Sequence, residues 1–202
     1  MKSCAIVGAG EFNGFHPCFA GEYTIAADGG CDNLAKFGIT PDLIVGDCDS
    51  ISEIPGGVEV VRAPSEKDET DAALAVNEAI RRGYVRFYIY GALGGRLDHT
   101  LANISLLANL SRRGFTARII GKNEIIAAVT DGVAAFGADK TGIISIFPAG
   151  EKAKGVSLKG LKYGLDDAEL RFDAAVGVSN EFIGEESFVG VKKGTLIIVT
   201  GA

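Results

Sequence analysis

The stretch YTIAADGGCDNLAKFGITPDLIVGDCDS, residues 23–50, contains two short apolar runs separated by a segment with helical spacing. Both runs are continuously apolar rather than alternating, which is typical of a strand buried on both faces. The segment between them ends at Gly38, and helices commonly place a glycine after the last turn. A strand, a helix and a second strand in this order predict a parallel sheet covered by helices.

The same alternation continues to about residue 122. Strand-like runs occur in CAIVGAG, VEVVRAP and VRFYIYGALGG, and helical patterns in DAALAVNEAIRRG and HTLANISLLANLSRRG. These patterns predict an N-terminal α/β domain, residues 1–122, with a doubly wound, Rossmann-like parallel sheet. From residue 123 the long helical patterns stop, and short apolar runs separated by glycine predict a C-terminal antiparallel sandwich or small barrel, residues 123–202.

Composition restricts the possible functions. The 202 residues are 47% hydrophobic and carry a formal net charge of −6, which argues against a general nucleic-acid binder. Four cysteines without a CxxC spacing, and only two histidines, indicate free thiols in a reducing cytoplasm. The first apolar run soon meets Glu11, unlike a signal peptide, and no run reaches membrane-spanning length. We therefore expect a cytoplasmic protein that binds neither membrane nor nucleic acid.

Acidic residues follow two of the predicted strands. Asp28 ends one strand in AADGG, and Asp47 and Asp49 end the next in GDCDS. If the chain is still extended there, Asp47 and Asp49 point the same way. Carboxylates this close raise each other's pKa unless a cation lies between them, and Mg²⁺ suits such ligands. The alternative for this pair is a polar loop with an Asx turn, and for Asp28 a cap of the glycine corner that follows it.

Two further motifs lie before predicted helices. KDETD, residues 67–71, directly precedes one helix, where Thr70 or Asp71 could cap the free N–H groups. GALGGRLDH, residues 91–99, follows the most aromatic strand and precedes another helix. Because ligands of doubly wound sheets gather beyond the carboxyl ends of the strands, we expect all the acidic motifs to converge at one edge.

The GALGGRLDH motif also suits phosphate binding. Gly94 and Gly95 permit close approach of the backbone, and Arg96 can contact a phosphate through two N–H groups. The N-terminus of the following helix favours negative charge as well. The alternative for Arg96 is a structural ion pair with Asp98.

Three other residues near these motifs each have two interpretations. Lys67 could place a positive charge on a polyphosphate, or it could be a solvated surface residue. His99 could contact the nucleotide, or it could serve as a capping or packing residue at a helix start. Cys48 is expected to face away from the aspartates into packing, because a soft ligand does not suit a carboxylate site.

The ordered series DGG, GDCDS, KDETD and GGRLDHTLAN, followed by GLKYGL (160–165) and GVSNEF (177–182), resembles the motifs of bacterial thiamin pyrophosphokinases. The resemblance runs from Asp28 to the last predicted strand. Two positions depart from it: Gly164 stands where we expect proline, and Cys48 where we expect an aromatic residue.

The resemblance implies an α/β nucleotide-binding catalytic domain followed by a thiamin-binding β-sandwich domain. It also implies a homodimer, with active sites at the subunit interface, that transfers the pyrophosphoryl group of ATP to the hydroxyl of thiamin and releases AMP. It implies Mg²⁺ as cofactor and ATP as co-substrate. The implied roles are metal binding by Asp47, Asp49 and Asp71; catalysis by Asp71, Asp98 and Asp28; nucleotide binding by Arg96, Lys67, Gly94, Gly95 and His99; and thiamin binding by Ser179 and Asn180. The residues alone do not decide whether Asp71 or Asp98 accepts the hydroxyl proton, and Ser179-Asn180 also suits a hairpin turn.

Aromatic stacking on the thiamin ring would have to use Tyr163, Phe172 or Phe182, because the chain has no tryptophan. For each of them, a place in the core is the favoured interpretation.

Four other functions compete with this interpretation. A metal-dependent phosphohydrolase or nucleotide-sugar transferase also uses an Asp-x-Asp pair, but needs neither the additional acids nor the second domain. VGAGEF suggests a dinucleotide-binding oxidoreductase, yet it lacks the full glycine fingerprint. A thiamin- or nucleotide-sensing module is the non-enzymatic alternative, and it has little use for five carboxylates around a phosphate.

Overall fold

The computed structural model describes residues 1–19, 21–63 and 69–202, which fall into two compact units. The first unit comprises Met1–Leu106 and Phe115–Lys122, and the second comprises Leu107–Gly114 and Asn123–Ala202.

The first unit contains a six-stranded parallel sheet and three helices. In chain order its elements are β1 (Ser3–Val7), β2 (Thr24–Ala27), α1 (Gly30–Ala35), β3 (Leu43–Gly46), β4 (Glu59–Arg62), α2 (Asp71–Arg81), β5 (Arg86–Tyr90), α3 (Leu97–Arg112) and β6 (Thr116–Ile120). The strands pair in the order β6-β5-β1-β2-β3-β4, and every pair is parallel.

Burial follows position in this sheet. All five residues of β1 and all four of β3 are buried, whereas the edge strand β4 is partly exposed. Continuous apolar runs are therefore found where a strand is covered on both faces. Helix α2 buries Ala72, Ala75, Val76 and Ala79, the i, i+3, i+4, i+7 stripe of an amphipathic helix.

The direction of winding reverses at β1. Strands β2, β3 and β4 extend the sheet to one side, while β5 and β6 extend it to the other. The carboxyl ends of β1 and β5 therefore lie side by side at the reversal, which is the usual ligand site of a doubly wound sheet.

The second unit consists of two antiparallel sheets around one apolar core. Its strands are β7 (Glu124–Thr130), β8 (Val133–Phe136), β9 (Ile143–Pro148), β10 (Lys152–Lys159), β11 (Leu165–Arg171), β12 (Asn180–Glu181), β13 (Ser187–Gly190) and β14 (Thr195–Gly201). One sheet has the order β12-β9-β14-β7, and the other has the order β11-β10-β13-β8. Ile146 and Leu196 of the first sheet share the core with Val156 and Val189 of the second.

The predicted fold class, a parallel α/β sheet followed by an antiparallel β-sandwich, is confirmed. The end of α3, within Leu107–Gly114, groups with the second unit, where the Ser111 hydroxyl lies 2.8 Å from that of Thr130. None of the helices in the described part of the chain is both long and apolar enough to cross a membrane.

Candidate active site

A cleft of about 320 Å³ lies at the carboxyl ends of the parallel strands, where the winding reverses. We call it the switch-point cleft. Its lining residues are Gly8, Ala9, Gly10, Ala27, Asp28, Thr70, Asp71, Ala72, Gly91, Ala92, Gly94, Gly95, Arg96, His99 and Asn103. Residues from the DGG, KDETD and GALGGRLDH motifs therefore converge in one cleft.

The floor of the cleft is made of two backbone segments that pass very close together. The N–H of Gly8 donates to the carbonyl of Tyr90, and the N–H of Gly10 donates to the carbonyl of Gly91, each at 2.8 Å. A Cβ on Gly10 would lie 2.6 Å from the Gly91 oxygen, and a Cβ on Gly91 would clash with the Gly8 oxygen. Only glycine permits this approach, which leaves the cleft open for a bulky anionic ligand.

Three carboxylates meet beside this floor. Oxygens of Asp28, Asp47 and Asp49 all lie within 4.8 Å of one another. The extended chain that would put Asp47 and Asp49 on one strand face is not present, because β3 ends at Gly46 and Cys48 has a left-handed backbone with φ of +65°. A turn, not a strand face, brings Asp47 and Asp49 together, and the N–H of Asp49 donates to Asp47 Oδ1 at 3.3 Å. The Asx turn and the acidic cluster are thus the same structure.

Asp28 organises the turn that carries the other two acids. One of its carboxylate oxygens accepts a hydrogen bond from the N–H of Cys48 at 3.2 Å, and the other accepts one from the hydroxyl of Ser50. Asp28 itself has a positive φ of 46°, a conformation that is uncommon outside glycine. Strained residues of this kind persist where their surroundings hold them, often at functional sites.

Asp49 lies among other carboxylates that change its pKa. The hydrogen bond to Asp47 and the negative charge of Asp47 raise the pKa of Asp49, and Asp28 and Asp71 add to the effect. A carboxyl whose pKa is raised by other carboxylates gains from a cation that binds between them. Three hard oxygen donors at this spacing fit Mg²⁺, so the cluster could hold a metal ion.

Thr70 and Asp71 divide the two tasks predicted for them. Thr70 is the N-cap of α2, and its Oγ1 accepts a hydrogen bond from the N–H of Ala73 at 3.2 Å. Asp71 is the first residue of the helix and lines the cleft. The Asp71 carboxylate therefore lies at the positive end of the helix dipole, in the lining of the cleft.

Arg96 and Asp98 form the ion pair that was the structural alternative for Arg96. The guanidinium binds the carboxylate through two contacts, Nε to Oδ1 at 3.1 Å and Nη2 to Oδ2 at 2.6 Å. This hydrogen bonding by Arg96 is the main cause that lowers the pKa of Asp98 to about 2, assisted by the N–H of His99. The two side chains are 71% and 64% exposed, so a phosphate could reach Arg96 and compete for it.

A second, smaller cavity of about 140 Å³ lies in the second unit. We call it the apolar cavity, and it is lined by Leu158, Tyr163, Leu165, Val176, Gly177, Val178 and Asn180. Of the two predicted thiamin contacts, Asn180 lines it and Ser179 does not. Ser179 has a positive φ of 57°, and its N–H donates to the hydroxyl of Ser145 at 3.0 Å.

The three candidate aromatic residues differ in their surroundings. Phe182 belongs to the core of the second unit, where its ring lies 5.4 Å from that of Phe136. Phe172 is exposed and does not line the apolar cavity. Tyr163 lines it while remaining 60% exposed. Tyr163 is therefore the aromatic residue best placed to contact a ligand there.

Comparisons with known proteins give the family. Residues 19–119 match the model of the thiamin pyrophosphokinase catalytic domain, and residues 136–196 match that of the vitamin B1 binding domain of the same enzyme. The thiamine pyrophosphokinase of Bacillus subtilis is 32% identical over 211 residues, which cover 98% of each chain. The chain belongs to the thiamin pyrophosphokinase family. The predicted enzymatic activity, pyrophosphoryl transfer from ATP to thiamin, is thereby confirmed.

Solved structures of this family share the fold. The crystal structure of the B. subtilis thiamine pyrophosphokinase superimposes with a TM-score of 0.88 at 30% identity, covering 100% of this chain and 99% of that one. That of the Geobacillus thermodenitrificans thiamin pyrophosphokinase gives a TM-score of 0.83 at 25% identity, with coverage of 99% and 97%.

Two buried asparagines support the cleft and were not predicted. Asn33 on α1 donates to the carbonyls of Gly8 and Gly10 at 2.9 and 2.8 Å, and Asn103 on α3 donates to the carbonyl of Ala92 at 2.8 Å. Each fixes one of the two backbone segments of the floor. The available signal was a polar residue on the apolar side of a helix, which is costly to bury without partners.

The Gly8-Ala9-Gly10 segment was another omission. The sequence GAG suggested a dinucleotide fingerprint that proved incomplete, yet the segment lines the cleft through its backbone. Lys67 lies outside the described residues, so its predicted phosphate contact stays a prediction.

Proposed function

We propose that the switch-point cleft binds ATP and Mg²⁺, and that the apolar cavity binds part of thiamin. The observation that carries this proposal is the convergence of the Asp28, Asp47 and Asp49 cluster with Asp71 and Arg96, in a chain whose family transfers pyrophosphoryl groups. Phosphoryl transfer needs alignment and charge neutralisation more than covalent help from the protein, and this cleft offers both kinds of group.

Asp47, Asp49 and Asp71 are the proposed Mg²⁺ ligands, with Asp28 beside them. Asp28 is occupied on both oxygens by Cys48 and Ser50, so its main task is to hold the turn in shape. Bound Mg²⁺ would neutralise phosphate charge. The raised pKa of Asp49 supports the assignment, because the neighbouring carboxylates that raise it could share a bound cation with Asp49.

Arg96, Gly94, Gly95 and His99 are the proposed contacts to the nucleotide phosphates. Gly94 and Gly95 have positive φ values of 79° and 66°, and both line the cleft before the N-terminus of α3. Backbone N–H groups in such loops suit anions. Binding of a phosphate to Arg96 would replace its contact with Asp98.

Asp98 is the proposed acceptor of the thiamin hydroxyl proton. Asp71 is assigned to the metal, and a metal-bound carboxylate is a poor base. While Arg96 holds it, the pKa of Asp98 is about 2, and the carboxylate is a weak proton acceptor. Once Arg96 turns to a phosphate, the pKa of Asp98 rises toward its ordinary value. Binding of the nucleotide would therefore make the Asp98 carboxylate a better proton acceptor.

The apolar cavity is too small to enclose thiamin alone. Ligand pockets typically exceed about 300 Å³, whereas this one measures about 140 Å³. Tyr163 offers an aromatic face to a cationic ring, and Ser179 and Asn180 lie in the adjoining segment. We propose that a second copy of the chain completes the site, in a homodimer with active sites at the subunit interface.

Product analysis tests the function. The protein is incubated with ATP, Mg²⁺ and thiamin, and AMP, ADP and phosphate are followed separately, with a control lacking thiamin. We expect AMP only when thiamin is present, matched by thiamin diphosphate. AMP or phosphate released equally without thiamin would indicate a hydrolase, ADP a simple kinase, and tight thiamin binding without turnover a sensor.

Subunit complementation tests the shared site. Asp71→Asn and Tyr163→Ala chains are co-expressed with different tags, and the mixed dimer is purified. If the cleft of one subunit works with the apolar cavity of the other, each mixed dimer keeps one intact site and recovers activity that neither parent has. A monomeric mass in light scattering, or a mixed dimer as inactive as its parents, would contradict the proposal.

Four free cysteines in the described residues, one of them exposed, suit a reducing compartment. We therefore also propose a cytoplasmic location, which a fluorescent fusion expressed in the source cell would test.

A further inference from the structure

Asn180 lines the apolar cavity, but its polar atoms are directed at the protein backbone. Its Oδ1 accepts hydrogen bonds from the N–H groups of Tyr163 and Glu181, both at 2.9 Å, and its Nδ2 donates to the carbonyl of Tyr163 at 2.7 Å. The residue is 2% exposed. A side-chain amide has two donor sites and two acceptor sites, so three of the four are already used.

These hydrogen bonds extend a short strand pairing. Leu161 bridges to Phe182, and the N–H of Lys162 donates to the carbonyl of Glu181 at 3.0 Å. At the next position the side chain of Asn180, rather than a main chain, bonds both the N–H and the carbonyl of Tyr163. Both polar main-chain groups of Tyr163 are therefore fixed by one buried amide.

The ring of Tyr163 has no comparable support. It is 60% exposed at the edge of the apolar cavity, and Lys162 Nζ lies 5.6 Å from its centroid. An exposed ring samples several rotamers, so its average position depends on the main chain that carries it. That main chain is held by Asn180.

We propose that Asn180 is a positioning residue that acts on thiamin through Tyr163 and makes no essential contact with thiamin itself. The inference rests on the proposed function of the apolar cavity. In this proposal Tyr163 forms the aromatic wall of the cavity. The buried amide of Asn180 holds the main chain of Tyr163 and so sets the position of that wall.

A double-mutant cycle tests the inference, with thiamin and ATP varied separately in steady-state assays. Asn180→Ala should raise the KM for thiamin by about tenfold, the effect of losing a buried hydrogen-bonded support, and leave the KM for ATP within about twofold. In a Tyr163→Ala background the same substitution should cause no further rise, because residues that act as a unit are not additive.

Glu181→Gln is the matched control. It weakens the ion pair of Lys162 with Glu181, 2.8 Å long and about half exposed, which links the same two segments without touching the cavity. The KM for thiamin should stay unchanged in this variant. A rise equal to that of Asn180→Ala would mean that any loosening of the two segments matters, and would overturn the specific role of Asn180.

Asn180→Asp repeats the cycle if the alanine variant does not fold. It keeps the acceptor for both N–H groups but places a carboxylate oxygen against the Tyr163 carbonyl, and the KM for thiamin should again rise. Additive effects with Tyr163→Ala, an equal rise in both KM values, or failure of both variants to fold would overturn the inference. If the wild-type protein itself showed no turnover of thiamin, the proposed function would be refuted instead.

Discussion

The switch-point cleft and the apolar cavity are built by opposite means. The cleft is made of glycine backbone, half-buried carboxylates and a helix N-terminus, whereas the cavity is made of branched apolar side chains and one buried amide. A polyphosphate is large, charged and hydrated, so its site needs room, N–H groups and acids that a metal can bridge. A ring system needs contact area and a fixed wall. Substitutions in the two regions should therefore change different kinetic constants.

Asp71→Asn should have the largest effect. The change removes one charge from the cleft with almost no change in volume, and we expect kcat to fall by about 10³-fold with the melting temperature nearly unchanged. Asp166→Asn, at an exposed acid of the second unit, is the control and should keep wild-type turnover. Full activity of Asp71→Asn would contradict its assignment to the metal.

Gly91→Ala should have the next largest effect, because it closes the backbone passage beneath the cleft. The added Cβ meets the Gly8 carbonyl and is also strained by a positive φ of 59°, so thermal unfolding should show a loss of about 3 kcal/mol. Gly95→Ala has a similar φ of 66° but no atom within 4 Å of the new Cβ. It should lose only about 1 kcal/mol. Equal losses of stability in the two variants would show that the close approach of Gly91 to Gly8 does not require glycine.

Val178→Ala should have a modest effect that is confined to the apolar cavity. It removes part of one wall, and the KM for thiamin should rise by about threefold while the KM for ATP stays constant. Val133→Ala, at an exposed valine of β8 that does not line the cavity, should change neither constant. A change in the KM for ATP larger than that in the KM for thiamin would contradict the assignment of the two ligands to two separate regions.

Asp49→Asn should have the smallest effect, a small change in melting temperature. Whether the melting temperature rises or falls tests the charge repulsion in the acidic turn. A carboxyl with a raised pKa in the folded protein stabilises the fold below its unfolded pKa and loses that contribution as the pH rises through the folded value. At pH 7 without metal, Asp49→Asn should therefore melt at an equal or slightly higher temperature than the wild type. Added Mg²⁺ should raise the melting temperature of the wild type more than that of the variant.

Asp173→Asn is the comparison for that experiment. Hydrogen bonding to Arg171 lowers the pKa of Asp173, so its ionised form stabilises the fold above the unfolded pKa. At pH 7 this variant should melt at an equal or lower temperature and should respond to Mg²⁺ as the wild type does. A destabilised Asp49→Asn variant would show that the acidic turn is not strained by its charges.

The parallel sheet was predictable because its signals are local. Continuous apolar runs, helical spacing and terminal glycines all lie within a few residues of one another, and β1 to β5 follow them, whereas β6 was not predicted. Strand β8 gave a weak signal because its sequence, Val133–Phe136, has two alanines and alternates between exposed and half-buried positions. The two-residue β12 was interpreted as a hairpin turn, because pairing with β9 is set by residues more than 30 positions away.

The acids and the geometry that makes them useful were not equally predictable. Acidic motifs that follow strands or open helices are visible in the sequence, and the topology of a parallel sheet then requires them to share one edge. Two features are visible only in the folded chain: the left-handed turn at Cys48, which brings Asp47 and Asp49 close to Asp28, and the close approach of Gly8 to Gly91.

The tertiary structure also decided that Asn180 holds Tyr163. These contacts join residues 17 to more than 80 positions apart, and their geometry depends on backbone angles and close packing. The sequence thus determined which elements form and at which edge chemistry gathers, because periodicity and chain direction are local. Distances within the site depend on how separate segments pack, and no local pattern records them.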